Sequence, residues 1–275
     1  AGHLGLNQLF AMVTVIVAGR VAGGVVAYHM AFTFFLLPYA LLANPLTTTL
    51  YPRLAAGAAA GRPTEVAADI AWGLRAMTFV LVPASVLMAV LARPMFEVIR
   101  LGNLDAAGAD LAAAATTGYL GGLIGYAASF LLTRASYAVG DTRQPTLVSL
   151  VATVAGIVAL VVGTGLVAGT AAVVVLGLVH AAVASATALV LLRVVGRRIA
   201  PIRLGWGLGR DLLAGAAAGA VAWGVAELVG TGSRTAAVVA LAAAGVAGLA
   251  TYLALQAVLG SEQLREVRRP GRVLR

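Results

Sequence analysis

Eight apolar stretches, each close to the length that crosses a lipid bilayer, constrain this chain more than any other feature. A hydrocarbon core of about 30 Å takes about 20 apolar residues per helix. Windows of that size place spans at 4–20, 25–51, 70–92, 111–133, 146–163, 171–192, 208–229 and 236–259 of the 275 residues. Only 11% of residues are charged, against about 25% in soluble domains. The expected fold class is therefore an all-α integral membrane protein with about eight transmembrane helices, leaving little chain for a soluble domain.

Most connections are short and carry turn residues, such as Gly23-Gly24, Gly57 to Pro63 and Gly140 to Pro145. The longer one, RPMFEVIRLGNLDAAGAD at 93–110, holds an apolar core at Met95 to Ile99 that is too brief to span. We expect it to lie at the interface or fold back on the bundle. Small residues crowd the spans, as at Gly121 and Gly125 or Gly215 and Gly219. In lipid they let helix backbones approach, so a compact bundle is the first reading of each such pair, ahead of a dedicated dimer face.

The net charge of +9 would suggest nucleic acid in a soluble chain. Here all 19 basic residues are arginines and most sit between spans, where the positive-inside bias accounts for them. Alternate connections divide them fifteen to four. That places the first residues and the C-terminal tail in the cytoplasm, as an even number of spans requires, and no nucleic-acid partner is expected. The tail SEQLREVRRPGRVLR would be drawn to anionic lipid.

With no cysteine and only three scattered histidines, the chain lacks metal-ligand spacing. No His-Glu-x-x-His, Gly-x-Ser-x-Gly or P-loop occurs. We expect no catalytic residues, no metal and no cofactor, and so not an enzyme. The chain begins Ala-Gly-His without an initiator methionine or a cleavable signal, and reads as a piece of a longer protein.

The second span is the most unusual. Pro38, Pro45 and Pro52 recur seven residues apart, on roughly one helix face, beside Thr33, Asn44, Thr47, Thr48 and Thr49. Each proline removes a backbone donor and bends the helix, which frees carbonyls. Bent helices of transporters line wet cavities, so this helix reads as a cavity wall with the prolines as kinks. The competing reading is a bent packing helix whose threonines bond to their own backbone. His29 could contact substrate or sit at the interface. His180, in mid-span, could be functional or simply bonded to a neighbouring helix. Asn7 and Gln8 on the first span face a cavity or bond another helix.

Several strings then become recognisable together: FFLLPYALLANPLTTTLYPRLA, the Trp72-Gly73-Leu74-Arg75 string with Pro83, TRASYAVGDTRQPTLVSL from Thr133, and GLVHAAVASATALVLLRVVGRR from Gly177. In order and spacing the chain resembles the MurJ/MviN family of lipid II flippases, over about 1–260, and looks like the second half of such a protein. The arginine-only, alanine-rich style resembles actinobacterial proteins.

The resemblance implies a six-helix lobe of a MurJ/MATE-like carrier at 1–200, two additional transmembrane helices at 201–260 and a basic cytoplasmic tail at 261–275. It implies a protein of the cytoplasmic membrane that moves the undecaprenyl-pyrophosphate-linked peptidoglycan precursor from the inner to the outer leaflet by alternating access. The partners would be lipid II, membrane lipids, a missing N-terminal lobe of the same chain and cell-wall synthesis proteins. Thr33, His29, Asn44, Gln8 and Asn7 would line the substrate cavity, with Arg75 and Arg143 as cytoplasmic-side contacts. Two departures stand out. Thr33 occupies the place of an arginine that opens this helix in many relatives, with Phe32 and Leu36 at nearby acidic positions. Spans five and six carry no Asp or Asn for the sodium site some relatives are thought to use. Either the missing lobe holds the anion, or the chain exports another polyprenyl-linked glycan, or it is a non-transporting scaffold for wall synthesis.

Overall fold

The computed structural model describes residues 2–100, 104–230 and 232–268, with the side chains of 2–4, 7 and 266–268 outside the description. Among the described residues every regular element is helical. The chain runs through α1 (Gly2–Ala18), α2 (Gly24–Pro38), a π-helical turn (Tyr39–Ala43), α3 (Asn44–Ala59), α4 (Pro63–Val90) and α5 (Ala92–Ile99). It continues through α6 (Ala106–Leu120), α7 (Leu123–Ala138), α8 (Arg143–Gly165), α9 (Thr170–Arg198), α10 (Gly207–Val229), α11 (Arg234–Val258) and α12 (Glu262–Arg268).

Among the described residues six stretches are long and apolar enough to cross a membrane: the bent rod α2–α3, then α4, α8, α9, α10 and α11. The other two expected spans correspond to α1, of 17 residues, and to the α6–α7 pair. Gly121 and Gly122 divide that pair while keeping right-handed dihedrals, so the apolar run continues through a break. In the stretch at 93–110 the described residues fold back on the bundle. Its helix α5 buries Ala92, Pro94 and Phe96, and the Phe96 ring meets Phe34 edge-on at 5.3 Å.

Lipid tails are as apolar as leucine, so burial does not drive helices together and close backbone contact must. The tightest crossing sets Gly118, Gly122 and Gly125 of α6–α7 against Gly177, Ala181 and Ser185 of α9. A Cβ on Gly177 would stand 2.5 Å from the Tyr119 nitrogen, and one on Gly118 2.8 Å from the Val174 carbonyl. Gly215 and Gly219 take the side chains of Val82 and Val86, which seats α10 on α4. These small residues serve the bundle itself, as the sequence pattern implies.

Polar ties finish the packing. Asp141, in the α7–α8 turn, is 6% exposed, accepts a 2.6 Å bond from Arg198 at the end of α9, and accepts from the Gln144 amide. Asp211 of α10 is 1% exposed and accepts from Thr78 of α4 and Gln256 of α11, each at 2.8 Å. Its neighbour Arg210 donates to Gln263 of α12 at 2.7 Å. The Tyr252 hydroxyl of α11 donates to the Phe79 carbonyl of α4. The two last long helices are thus fastened to α4 through a buried carboxylate.

Two substitutions test these contacts. Gly177→Val forces a side chain into backbone and lowers stability by about 3 kcal/mol, whereas Gly224→Val, with open space around it, leaves the thermal midpoint in detergent unchanged. Equal midpoints would refute the crossing. Asp211→Ala leaves the Gln256 amide without its acceptor and the buried Arg210 without its carboxylate, and costs about 3 kcal/mol or more, read as an earlier melt; a melt like wild type would show that the network does not fasten these helices.

Candidate functional site

Helix α2 has two unlike faces. Ala27, Tyr28, Ala31, Phe35 and Pro38 are buried, the alanines allowing close approach and the rings filling the space behind. Val26, His29, Thr33 and Leu37 form an outward stripe at helical spacing. His29 and Thr33 stand one turn apart, and the Thr33 hydroxyl donates to the His29 carbonyl at 2.8 Å.

After Pro38 the helix widens into its π-helical turn, where the Asn44 amide reaches back five residues to the Tyr39 carbonyl. A π-turn holds about one residue more than an α-turn and rotates the helix beyond it by about 100°. This corrects the expectation that the three prolines share a face. Pro38 is buried, while Pro45 and Pro52, beyond the turn, are exposed. Pro38 ends α2, Pro45 sits in the first turn of α3 and Pro52 lies inside α3.

The polar residues of α3 bond to their own helix. Thr47, Thr48 and Thr49 donate to the carbonyls of Ala43, Asn44 and Pro45. Thr47 is buried, Asn44 half-buried, and Thr48 and Thr49 exposed. Such back-bonding satisfies the hydroxyl hydrogens and leaves lone pairs facing outward. Arg134 of α7 donates to the Thr48 hydroxyl at 3.4 Å.

Behind this rod lies an aromatic box. The His180 ring has Tyr119 at 5.2 Å, Phe35 at 5.3 Å, Phe32 at 5.7 Å, Tyr126 at 5.8 Å and Phe10 at 6.0 Å between centroids, so rings from four helices enclose a fifth. Its Nε2 is shielded and finds no hydrogen-bond partner among the described residues. Next to it a cavity of about 80 Å³ is lined by hydroxyls, including Ser129, Thr133, Thr153 and Thr187. The cavity can hold water against the imidazole.

The remaining expected site residues are scattered. Gln8 is exposed on α1, and among the described residues no hydrogen bond joins it to the rod. The Asn7 side chain lies outside the described residues. Arg75 donates to the Arg203 carbonyl at 3.2 Å, tying down the linker before α10. Arg143 is exposed at the first turn of α8. The structure therefore brings together His29 with Thr33 on one segment, and Asn44 with Thr48 and Arg134 on the next. Sequence reasoning counted Arg134 only as a topology charge and passed over Asp211; a lone acid inside a span was the available signal for the latter.

Cysteines test whether this outward face is wet. His29→Cys, Thr33→Cys and Asn44→Cys react with water-soluble thiol reagents in the full-length protein, while Phe35→Cys and Thr47→Cys, at positions 0% and 1% exposed, are protected. Silence at Thr33 and Asn44 from both sides of the membrane would leave the sealed packing helix as the better reading.

The chain matches the family described as "MurJ: Lipid II flippase MurJ" over residues 2–254. Among solved structures it is similar to one described as "Lipid II flippase MurJ, inward closed conformation", with TM-score 0.74 and 18% identity, over 97% of this chain and 53% of that one. The chain therefore spans about half the length of that protein, and at this identity the likeness is one of fold.

Proposed function

The chain belongs to the MurJ family of lipid II flippases, and on that premise we propose that it is the second lobe of a carrier that moves a polyprenyl-diphosphate-linked peptidoglycan precursor between leaflets. It is a multi-pass protein of the inner membrane, with six helices long and apolar enough to cross. The observation that carries the reading is the bent rod α2–α3, which turns His29, Thr33, Thr48 and Thr49 outward from an otherwise apolar bundle. A saccharide headgroup needs polar partners on its path, and a bent helix with outward polar atoms supplies them.

In this reading residues 1–200 form the lobe, 201–260 two added spans and 261–275 a basic tail. The lobe rocks against a second one, exposing the site to each leaflet in turn, and no bond is made or broken. His29, Thr33 and Asn44 contact the headgroup, and Gln8, exposed on α1, is a further polar contact on its path. Arg143, exposed at the arginine-rich end, meets inner-leaflet headgroups, and the tail obeys the same charge bias into the cytoplasm.

The uncharged start of α2 favours one other reading, a membrane scaffold that recruits wall-synthesis proteins. Two measurements decide. In vesicles, the reconstituted full-length protein exchanges labelled lipid II between leaflets faster than protein-free vesicles do, and in a flippase-depleted cell its gene restores growth. Absence of exchange sinks the carrier reading, and competition by another polyprenyl-linked glycan would identify an exporter of that glycan.

A further inference from the structure

A carrier of this kind must hold a diphosphate while its headgroup leaves bulk water, yet α2 bears no charged residue at all. The arginines divide by burial and by partner. Arg53, Arg62, Arg93, Arg100, Arg198 and Arg210 each face a carboxylate. Among the described residues two arginines are half-buried without one, Arg75 and Arg134. Arg75 binds the Arg203 carbonyl under a linker. Among the described residues Arg134 makes a single long bond, 3.4 Å to the Thr48 hydroxyl.

The position of Arg134 suits an anion. It lies four residues before the end of α7 at Ala138, about 6 Å along the axis, at the end of the bundle where most arginines gather. That is headgroup depth, where a long cationic side chain reaches polar surroundings. It leans on α3 beside exposed Thr48 and Thr49. The Thr48 carbonyl has lost its helical donor, since Pro52 has no N–H. A guanidinium carries several donors in a planar fork that matches phosphate oxygens, and one of them is committed here.

We propose that Arg134 is the diphosphate-binding residue of this lobe, receiving the anionic headgroup of a polyprenyl diphosphate at the junction of α3 and α7. The proposal rests on the carrier reading and replaces the cation missing at Thr33 by one on a neighbouring helix. It leaves the saccharide to the outward stripe of α2.

Binding of farnesyl diphosphate to the full-length protein in phosphatidylcholine nanodiscs, monitored by calorimetry, tests it. Arg134→Gln weakens binding about tenfold, as loss of a charge-assisted bond implies. Arg134→Lys keeps the charge, loses the fork and binds about threefold weaker, and it decides the matter if the Gln variant does not fold. Arg234→Gln, an exposed arginine at the opposite end, binds as wild type. Inorganic pyrophosphate competes, and phosphatidylglycerol added to the nanodisc does not. Wild-type affinity in Arg134→Gln, or displacement by phosphatidylglycerol as effective as by pyrophosphate, overturns the assignment and leaves the carrier reading standing. If wild type binds no farnesyl diphosphate, the carrier reading fails first.

Discussion

Contact between backbones, made possible where side chains are missing, is the condition on which this bundle depends. In lipid no water competes for the helix surface, and leucine gains little by leaving hydrocarbon for protein. Van der Waals contact must then hold the helices, and it grows as axes approach. The ladder of Gly118, Gly122 and Gly125 against Gly177, Ala181 and Ser185 puts α9 directly on α6–α7. Because α9 sits there, His180 is carried into the middle of the bundle, and rings from α1, α2, α6 and α7 close around it. The aromatic box is a consequence of the glycine crossing, and the bent rod rests on that box through Phe32 and Phe35.

The rod shows how a helix can carry polar residues in a membrane without unfolding. Prolines remove donors, and hydroxyls one turn away would otherwise seek acceptors elsewhere. Here each threonine of α3 donates to a carbonyl of its own helix, so its hydrogen is satisfied wherever the outward face points. A polar face of this kind tolerates both lipid and water. A stripe of free hydroxyls would lack that tolerance.

Spans were legible in the sequence because a window of apolar residues measures the same quantity that the bilayer selects. Each of the eight falls on a helix or helix pair, and the short run at Met95 folds back as its length implied. What the sequence hid depends on geometry that residue counting does not contain. A spacing of seven between prolines keeps one face only if every turn holds the same number of residues, and the π-turn at Tyr39–Ala43 breaks that condition. The break at Gly121–Gly122 lies within one apolar run, so hydropathy passes over it. The ring cluster draws on helices far apart in sequence. Arg134 looked like one topology charge among fifteen, because its half-burial without a carboxylate among the described residues is visible only in the structure.

The distribution of ties along the helices bears on how such a lobe would move. At the arginine-rich end, Asp141 and Asp211 are buried at 6% and 1% exposure and hold α8, α9, α10 and α11 through short bonds. Open pairs occur at both ends: Arg53 with Asp69 at 60% and 22% exposure and Arg62 with Glu65 at 57% and 59% at this one, Arg93 with Asp110 at 76% and 54% and Arg100 with Glu97 at 38% and 26% at the other. Breaking a buried pair leaves a charge stranded and costs several kcal/mol, about 3 to 5. Exposed pairs contribute about 1 kcal/mol or less. A lobe built this way holds the end of α7, where Arg134 sits, to α8 and α9 through the buried Asp141. Any yielding falls on the exposed pairs, those of α3 and α4 included, and on the π-turn of the rod, where the backbone ladder is already loosened. A headgroup contact at Arg134 would then be made on rigid ground, which is where a fork of donors must be held if it is to match two phosphate oxygens at once.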